Sequence, residues 1–497
     1  MTSAYTRLVE RLRRIHALDR AAGHLQWDQE TVMPPGGAEP RSEELSVLSS
    51  LSHELFTAPE TGRLLAEAER TETDERHRAL LRETRRSFDR ATRVPQDLVE
   101  ALARATSRAL GIWTEARQKN EFTRFEPILT EIVELRRRYA AAVDPTVSPY
   151  EALYGEYEPY IPLSETRTHL RSLRDGLRPL LDRAANRAGD VPNPFAGAVW
   201  PAPQQRAMMN KVLSAVGYNF QHGRLDESAH PFSTGNPYDA RITTRYKEDD
   251  PETGMSSTLH EFGHALYTQG LPKEELGTPL GEARNLVVHE SQSRLWENHV
   301  GHSLAFWEFV LPQFREHFPG RLDGTTADQC WRWSNQIQPG FIRVDADEVT
   351  YHLHVALRFE VEEALISGNL PVSEVPHAWN ERMEKYLGLT PPTDTLGCLQ
   401  DVHWSHGAFG YFPTYSLGSM LASQVFGAFE RDHGPFDGNI RRGDFTPLRT
   451  WLKDRIHQHG CLYTTPDLIA RATGRSLSAD PFLGYAKTKF ERVWATA

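Results

Sequence analysis

Residues 255–270 read MSSTLHEFGHALYTQG, and within them His260-Glu261-Phe262-Gly263-His264 forms an H-E-x-x-H pattern. On an α-helix, positions four apart share a face and lie about one turn apart. Two imidazoles so placed can bind one Zn²⁺, and Glu261 beside them can reach a water held by the metal. With 21 histidines in 497 residues, chance alone supplies this spacing now and then, so the surrounding chain has to decide its meaning.

A hydrolytic zinc needs a third protein ligand and an open position. Glu290, in His289-Glu290-Ser291-Gln292, is the candidate. It lies on the next expected helix, 281–301, and two helices packed side by side can bring its carboxylate to the metal. The metal would acidify water and polarise a scissile carbonyl. Glu261 would take the proton from that water and pass it to the leaving amine. Donors must meet the charge that develops on the carbonyl oxygen. The aromatic and glycine-rich stretch from Gly397 to Tyr415 suits a loop lining a cleft, with His403, Tyr411 and Tyr415 as candidate donors or as ordinary core residues.

Upstream, prolines 192, 194, 201 and 203 break the helical texture. Ala240–Tyr246 is short, alternating and β-branched and reads as a strand. Gly223–Ser228 is a candidate antiparallel neighbour, and Gln338–Val344 a third strand. Arg241 and Arg343 stand out because they fall on these strands. Each can hold a peptide's terminal carboxylate through paired hydrogen bonds, or can form a structural ion pair with Asp239, Asp345 or Asp347. Spacing alone does not choose between these roles.

Residues 1–190 read as consecutive helices, with apolar spacing of three and four in Leu8-Leu12-Ile15 and Leu45-Leu48-Leu51. Breakers fall at Pro34 to Gly37, Pro59, Pro95 and Pro145 to Pro149. The charged segment Asp74–Arg93 reads as a solvated helix face laced with ion pairs. Beyond residue 301, helices are expected over 346–367, 371–387, 416–432, 446–458 and 480–494. The fold class is mainly α with a minor β-sheet.

The formal charge of −11 argues against a nucleic-acid partner. No apolar run is long enough for a membrane span, and no N-terminal signal is visible. Cys330, Cys398 and Cys461 form neither metal spacing nor a disulfide framework. Each reads as a core residue in a cytoplasmic protein.

Several motifs in order give a closer reading. Trp27-Asp28-Gln29-Glu30-Thr31 to Gly37, Asp239-Ala240-Arg241-Ile242-Thr243 (D-x-R-x-T), the H-E-x-x-H, His289–Gln292 (H-E-[SG]-Q), Ile342–Asp347 (I-R-x-x-A-D) and Gly397–Trp404 (G-x-x-Q-D-x-H-W) resemble the M32 metallocarboxypeptidases nearly end to end. That resemblance implies an elongated helical protomer with a deep narrow groove and a small sheet beside the active site. It implies one peptidase domain over 1–497, with a helical part to about 190 and a catalytic part from 191. It also implies a homodimer and one divalent metal per subunit, zinc or alternatively cobalt, on His260, His264 and Glu290. Glu261 would be the general base, and Arg241 and Arg343 would lie near the substrate's terminal carboxylate. Peptides would lose C-terminal residues of many kinds, proline excepted. Two other readings share the same helix: an H-E-x-x-H oligopeptidase, and a metal-stabilised peptide-binding protein without turnover. Arg294 lies four residues beyond Glu290, where thermolysin-type enzymes carry an Asp, so an acid supporting the ligands must come from elsewhere or be absent.

Overall fold

The computed structural model describes residues 3–185 and 191–495. The division expected at 190 adjoins residues 186–190, which lie outside the described residues. The N-terminal part is helical as expected: Ala4–Thr31, Ala38–Thr57, Pro59–Thr71, Glu75–Arg93, Gln96–Lys119, Phe122–Val143, Pro149–Tyr154 and Leu163–Ala185. Pro59 occupies the first turn of its helix and Pro95 an N-cap, positions where a missing N–H costs nothing.

Two cores result. The larger runs from Val94 to Val493. The smaller gathers Leu8, Leu12, Leu64, Leu65, Leu80 and Leu81 around Leu280. Glu75–Arg93 is not wholly a solvated face: Leu80 and Leu81 are buried in that small core, and Glu83 is buried with Arg284.

The sheet has three strands, β1 (Leu225–Glu227), β2 (Ser233–Asn236) and β3 (Asp239–Thr244), in the order β1-β3-β2. β3 confirms the strand expected there. β1 is its neighbour, but parallel to it; the antiparallel partner is β2. β2 and β3 close as a tight hairpin in which Asn236 Oδ1 accepts from the Tyr238 amide. Gln338–Val344 is not a strand. Pro339 offers no N–H, and buried side chains take the backbone groups a neighbouring strand would need. His354 Nε2 lies 3.1 Å from Gly340 O, Gln400 Nε2 donates to Phe341 O, and Gln400 Oε1 accepts from Arg343 N. Arg343 therefore sits on a 3₁₀ turn, Arg343–Asp345.

The later helices appear at Thr350–Ser367, Val375–Leu387, Pro413–His433, Thr446–Arg455 and Asp480–Trp494. Helices at Ala202–Val216, Leu304–His317, Ala327–Ser334 and Thr465–Thr473 escaped the periodicity reading. No helix among the described residues is long and apolar enough to cross a membrane.

Candidate active site

Pro251–Gly270 is a continuous helix. Asp250 caps it by accepting from the Thr253 amide, and Pro251 sits in its first turn. The sheet packs on one side: Thr258 Oγ1 donates to Thr244 Oγ1 at 3.0 Å. Gly263, the x before His264, is where the next helix crosses. A Cβ there would stand 2.4 Å from Gln292 O, so the two backbones meet only because no side chain intervenes.

That crossing helix is Leu286–Arg294, shorter than the expected 281–301. It starts at Asn285, whose φ of 33° and ψ of 168° are unusual for a residue with a Cβ. Three contacts hold Asn285 there. Its Nδ2 donates to Glu158 Oε1 and Thr465 Oγ1 at 2.9 Å each, and Arg284 Nε donates to its Oδ1. Beyond Arg294 the chain widens into a π-helix, Leu295–Gly301, a form often found at functional sites.

These elements bring His260, His264 and Glu290 together, one ligand atom from each within 4.8 Å of the others. Glu290 Oε2 lies 3.7 Å from His260 Nε2 and 3.6 Å from His264 Nε2. Ligands about 2.0–2.1 Å from a tetrahedral ion are separated by roughly 3.3 Å, so small rotations would fit the set to zinc. The outer nitrogens are both occupied. His260 Nδ1 lies 2.8 Å from Glu297 Oε2, and His264 Nδ1 lies 2.6 Å from His289 Nδ1. The Glu297 carboxylate can only accept, so it puts the His260 proton on Nδ1 and leaves the Nε2 lone pair facing inward, whereas in the His264–His289 contact either ring can donate.

Glu297 is the supporting acid that the chain lacks at position 294, and the sequence reading missed it. Its only signal was a carboxylate seven residues, or two turns, past Glu290. Burial opposes its charge, but Arg294 and His260 outweigh that and hold it well below the usual carboxylate range. Glu261 is buried, and its Oε2 has no hydrogen-bond partner among the described residues. Burial raises it to about 7, with His260 opposing and Glu290 and Glu297 adding to the rise.

His403, Tyr411, Tyr415 and Arg343 form a second group. His403 Nε2 and Tyr415 Oη are 3.4 Å apart, and the two tyrosine rings stand 5.2 Å apart. Burial lowers His403 to about 4, leaving it neutral. Burial raises Tyr411 to about 12, with Glu290 contributing to the rise, so its hydroxyl remains a donor.

Arg343 is buried and ion-paired, but with Asp401 and not with Asp345 or Asp347. Its Nε and Nη2 donate to Asp401 Oδ1 at 3.0 and 2.9 Å, and Nη1 donates to Tyr351 Oη at 3.2 Å. Asp401 Oδ2 accepts from Arg358 at 2.6 Å. A guanidinium carries five N–H donors, so Arg343 keeps donors to spare. Asp347 accepts from the Val349 and Thr350 amides at the start of the next helix.

Arg241 lies elsewhere, on β3. It pairs through Nε and Nη2 with Asp239, at 2.9 Å each, and covers the Trp27 ring at 4.3 Å. Asp239 was among the partners expected. Arg241 lines a cavity of about 1020 Å³ with His16, His24, Asn236, Tyr157 and His289. His289 touches His264, and Tyr157 packs edge-on against Tyr411 at 5.0 Å, so the cavity abuts both groups.

The chain matches the family described as carboxypeptidase Taq (M32) metallopeptidase over residues 7–490. It is similar to thermostable carboxypeptidase 1 of Thermus thermophilus, with 40% identity across 99% of either chain. It is also similar to carboxypeptidase 1 of Bacillus subtilis, with 33% identity across 97% of either chain. Its fold superposes on the M32 carboxypeptidase of Deinococcus radiodurans with a TM-score of 0.96 at 37% identity, covering 99% of this chain and 100% of that one. A carboxypeptidase of Pyrococcus furiosus gives a TM-score of 0.96 at 35% identity, covering 99% of each. With a His-His-Glu group converging on one point inside this fold, the chain belongs to the M32 family and is a metallocarboxypeptidase, a hydrolase that releases C-terminal residues from peptides.

Proposed function

We propose that His260, His264 and Glu290 hold one divalent ion per chain, zinc or alternatively cobalt, and that Glu261 is the general base. The observation that carries this reading is the convergence of two imidazole Nε2 atoms and one carboxylate oxygen beside the unpartnered Oε2 of Glu261. The ion would supply Lewis acidity at the scissile carbonyl and acidify water there. Glu261 takes the proton from the attacking water and delivers it to the leaving nitrogen. Tyr411 and Tyr415, held protonated, and neutral His403 donate to the carbonyl oxygen as its charge develops.

Arg343 and Arg241 receive the substrate's terminal carboxylate. Arg343 has donors left after Asp401 and Tyr351, while Arg241 faces the cavity from β3. The whole chain acts as one peptidase unit of broad selectivity that resists a C-terminal proline. Its three cysteines, free and buried, suit a cytoplasmic setting. The working assembly is a homodimer, which sedimentation of the purified protein would test.

A matched peptide library, free acids against C-terminal amides, tests the reading directly. Free acids should lose one C-terminal residue at a time, amides should resist, chelation should abolish cleavage, and zinc or cobalt should restore it. Amides cut as fast as acids would remove both arginines from the assigned role.

A further inference from the structure

Arg294 stands where a supporting acid was sought, and it touches two carboxylates at once. Its Nε donates to Glu290 Oε1 at 2.8 Å and its Nη1 to Glu297 Oε2 at 3.0 Å. Glu297 Oε2 is also the atom 2.8 Å from His260 Nδ1. On Glu290 the oxygen that Arg294 leaves alone, Oε2, is the one facing both histidines, and the Ser293 hydroxyl, 2.8 Å from Glu290 O, lies 3.1 Å from it. The guanidinium is mostly buried and lies 4.4 Å from the centre of the Tyr351 ring, whose hydroxyl accepts from Arg343.

We propose that Arg294 is a positioning residue for the metal. It occupies Oε1, so that Glu290 presents only Oε2, and it holds Glu297 where that carboxylate fixes the His260 proton on Nδ1. One ligand is thus set directly and a second through Glu297. A carboxylate restricted to one oxygen leaves a coordination position open, as a catalytic site requires. Through Tyr351, whose ring it covers and whose hydroxyl accepts from Arg343, the same guanidinium connects the metal set to the group assigned to the substrate's carboxylate. This inference rests on the reading of His260, His264 and Glu290 as the ligand set.

The alternative is that Arg294 is only a charge balancing nearby acids, and the two roles differ in sign. A bare positive charge repels a cation, so its removal would tighten metal binding. A clamp preorganises the ligands, so its removal would loosen binding. Lysine keeps the charge but cannot reproduce a planar fork reaching two carboxylates.

The test uses the full-length protein, stripped of metal, as wild type, Arg294→Met, Arg294→Lys and Glu290→Ala. Zinc affinity is measured by competition with a chromogenic chelator, and the cobalt-loaded forms by visible absorption. Both Arg294 variants should bind zinc roughly 10–100-fold more weakly. Their cobalt bands should weaken as Glu290 becomes free to chelate through both oxygens. Unchanged or tighter zinc binding in Arg294→Met would overturn the proposal, and so would wild-type affinity and spectrum in Arg294→Lys. If Arg294→Met does not fold, Arg294→Lys alone decides. Glu290→Ala separates the levels: metal retained there sinks the ligand set itself, whereas metal lost there but kept by the Arg294 variants sinks only the clamp.

Discussion

Gly418 makes room for Glu290: a Cβ at Gly418 would stand 2.6 Å from both Cβ and Cγ of that glutamate. Gly263 does the same from the other side, against the backbone of Gln292 and Ser293. The helix that carries Glu290 is therefore clasped between two helices at points without side chains. Gly418→Ala should push Glu290 away from the histidines, weaken metal binding at least about tenfold and destabilise the fold by about 1–3 kcal/mol. Gly427→Ala, on the same helix with nothing within 4 Å of its added carbon, should be neutral or slightly stabilising. Metal titration and thermal melts of the two variants check this, and equal behaviour would contradict it.

The two arginines call for different experiments. Arg343 is buried against Asp401, so Arg343→Ala removes a structural pair along with any role in binding and should lower stability by about 3–5 kcal/mol. Arg241 is partly exposed beside Asp239, and its loss should cost less than about 1 kcal/mol. Arg241→Ala is the cleaner probe. Its melting temperature should stay close to wild type while KM for free-acid peptides rises several-fold. An unchanged KM would leave only the ion pair with Asp239.

Glu83 and Arg284 join the small N-terminal core to the turn that sets Asn285. Arg284 Nη1 and Nη2 donate to the two Glu83 oxygens at 2.9 Å each, and both side chains are buried. Glu83→Gln should cost about 3–5 kcal/mol at neutral pH by leaving Arg284 buried without its counter-charge. Burial opposes the Glu83 charge, but Arg284 prevails and holds it below its ordinary 4.5. A depressed carboxylate contributes stability that is complete above its unfolded value and lost as pH falls through its folded one. The gap between wild type and Glu83→Gln should therefore shrink below pH 4.5. Denaturant melts across the acid range would show it, and a constant gap would count against the pair.

Local pattern made much of this molecule legible. The i, i+4 spacing put His260 and His264 on one helical face, the helix after it supplied Glu290, and the apolar spacing in Leu8-Leu12-Ile15 marked a buried stripe. What escaped depends on contacts distant in sequence or on irregular backbone. Gln338–Val344 looks like a strand until Gln400 and His354 claim its backbone groups. β1 lies parallel to β3 on the edge opposite β2, and alternation within a segment does not encode strand direction. Arg343 pairs with Asp401, 58 residues away, and not with the acids beside it. Glu297 reaches His260 from within a π-helix, which apolar periodicity does not announce. The oligopeptidase and non-catalytic readings, open while the zinc helix stood alone, give way to the family match over residues 7–490.

The central claim is that Glu261 moves the proton while His260, His264 and Glu290 hold the ion. Glu261→Gln separates these roles, because the amide keeps the shape and cannot accept the proton. Metal content and kcat/KM on a free-acid peptide should be measured on the same purified sample. Metal should stay bound as in wild type while kcat/KM falls by several orders of magnitude. Turnover near the wild-type rate with metal in place would contradict that claim.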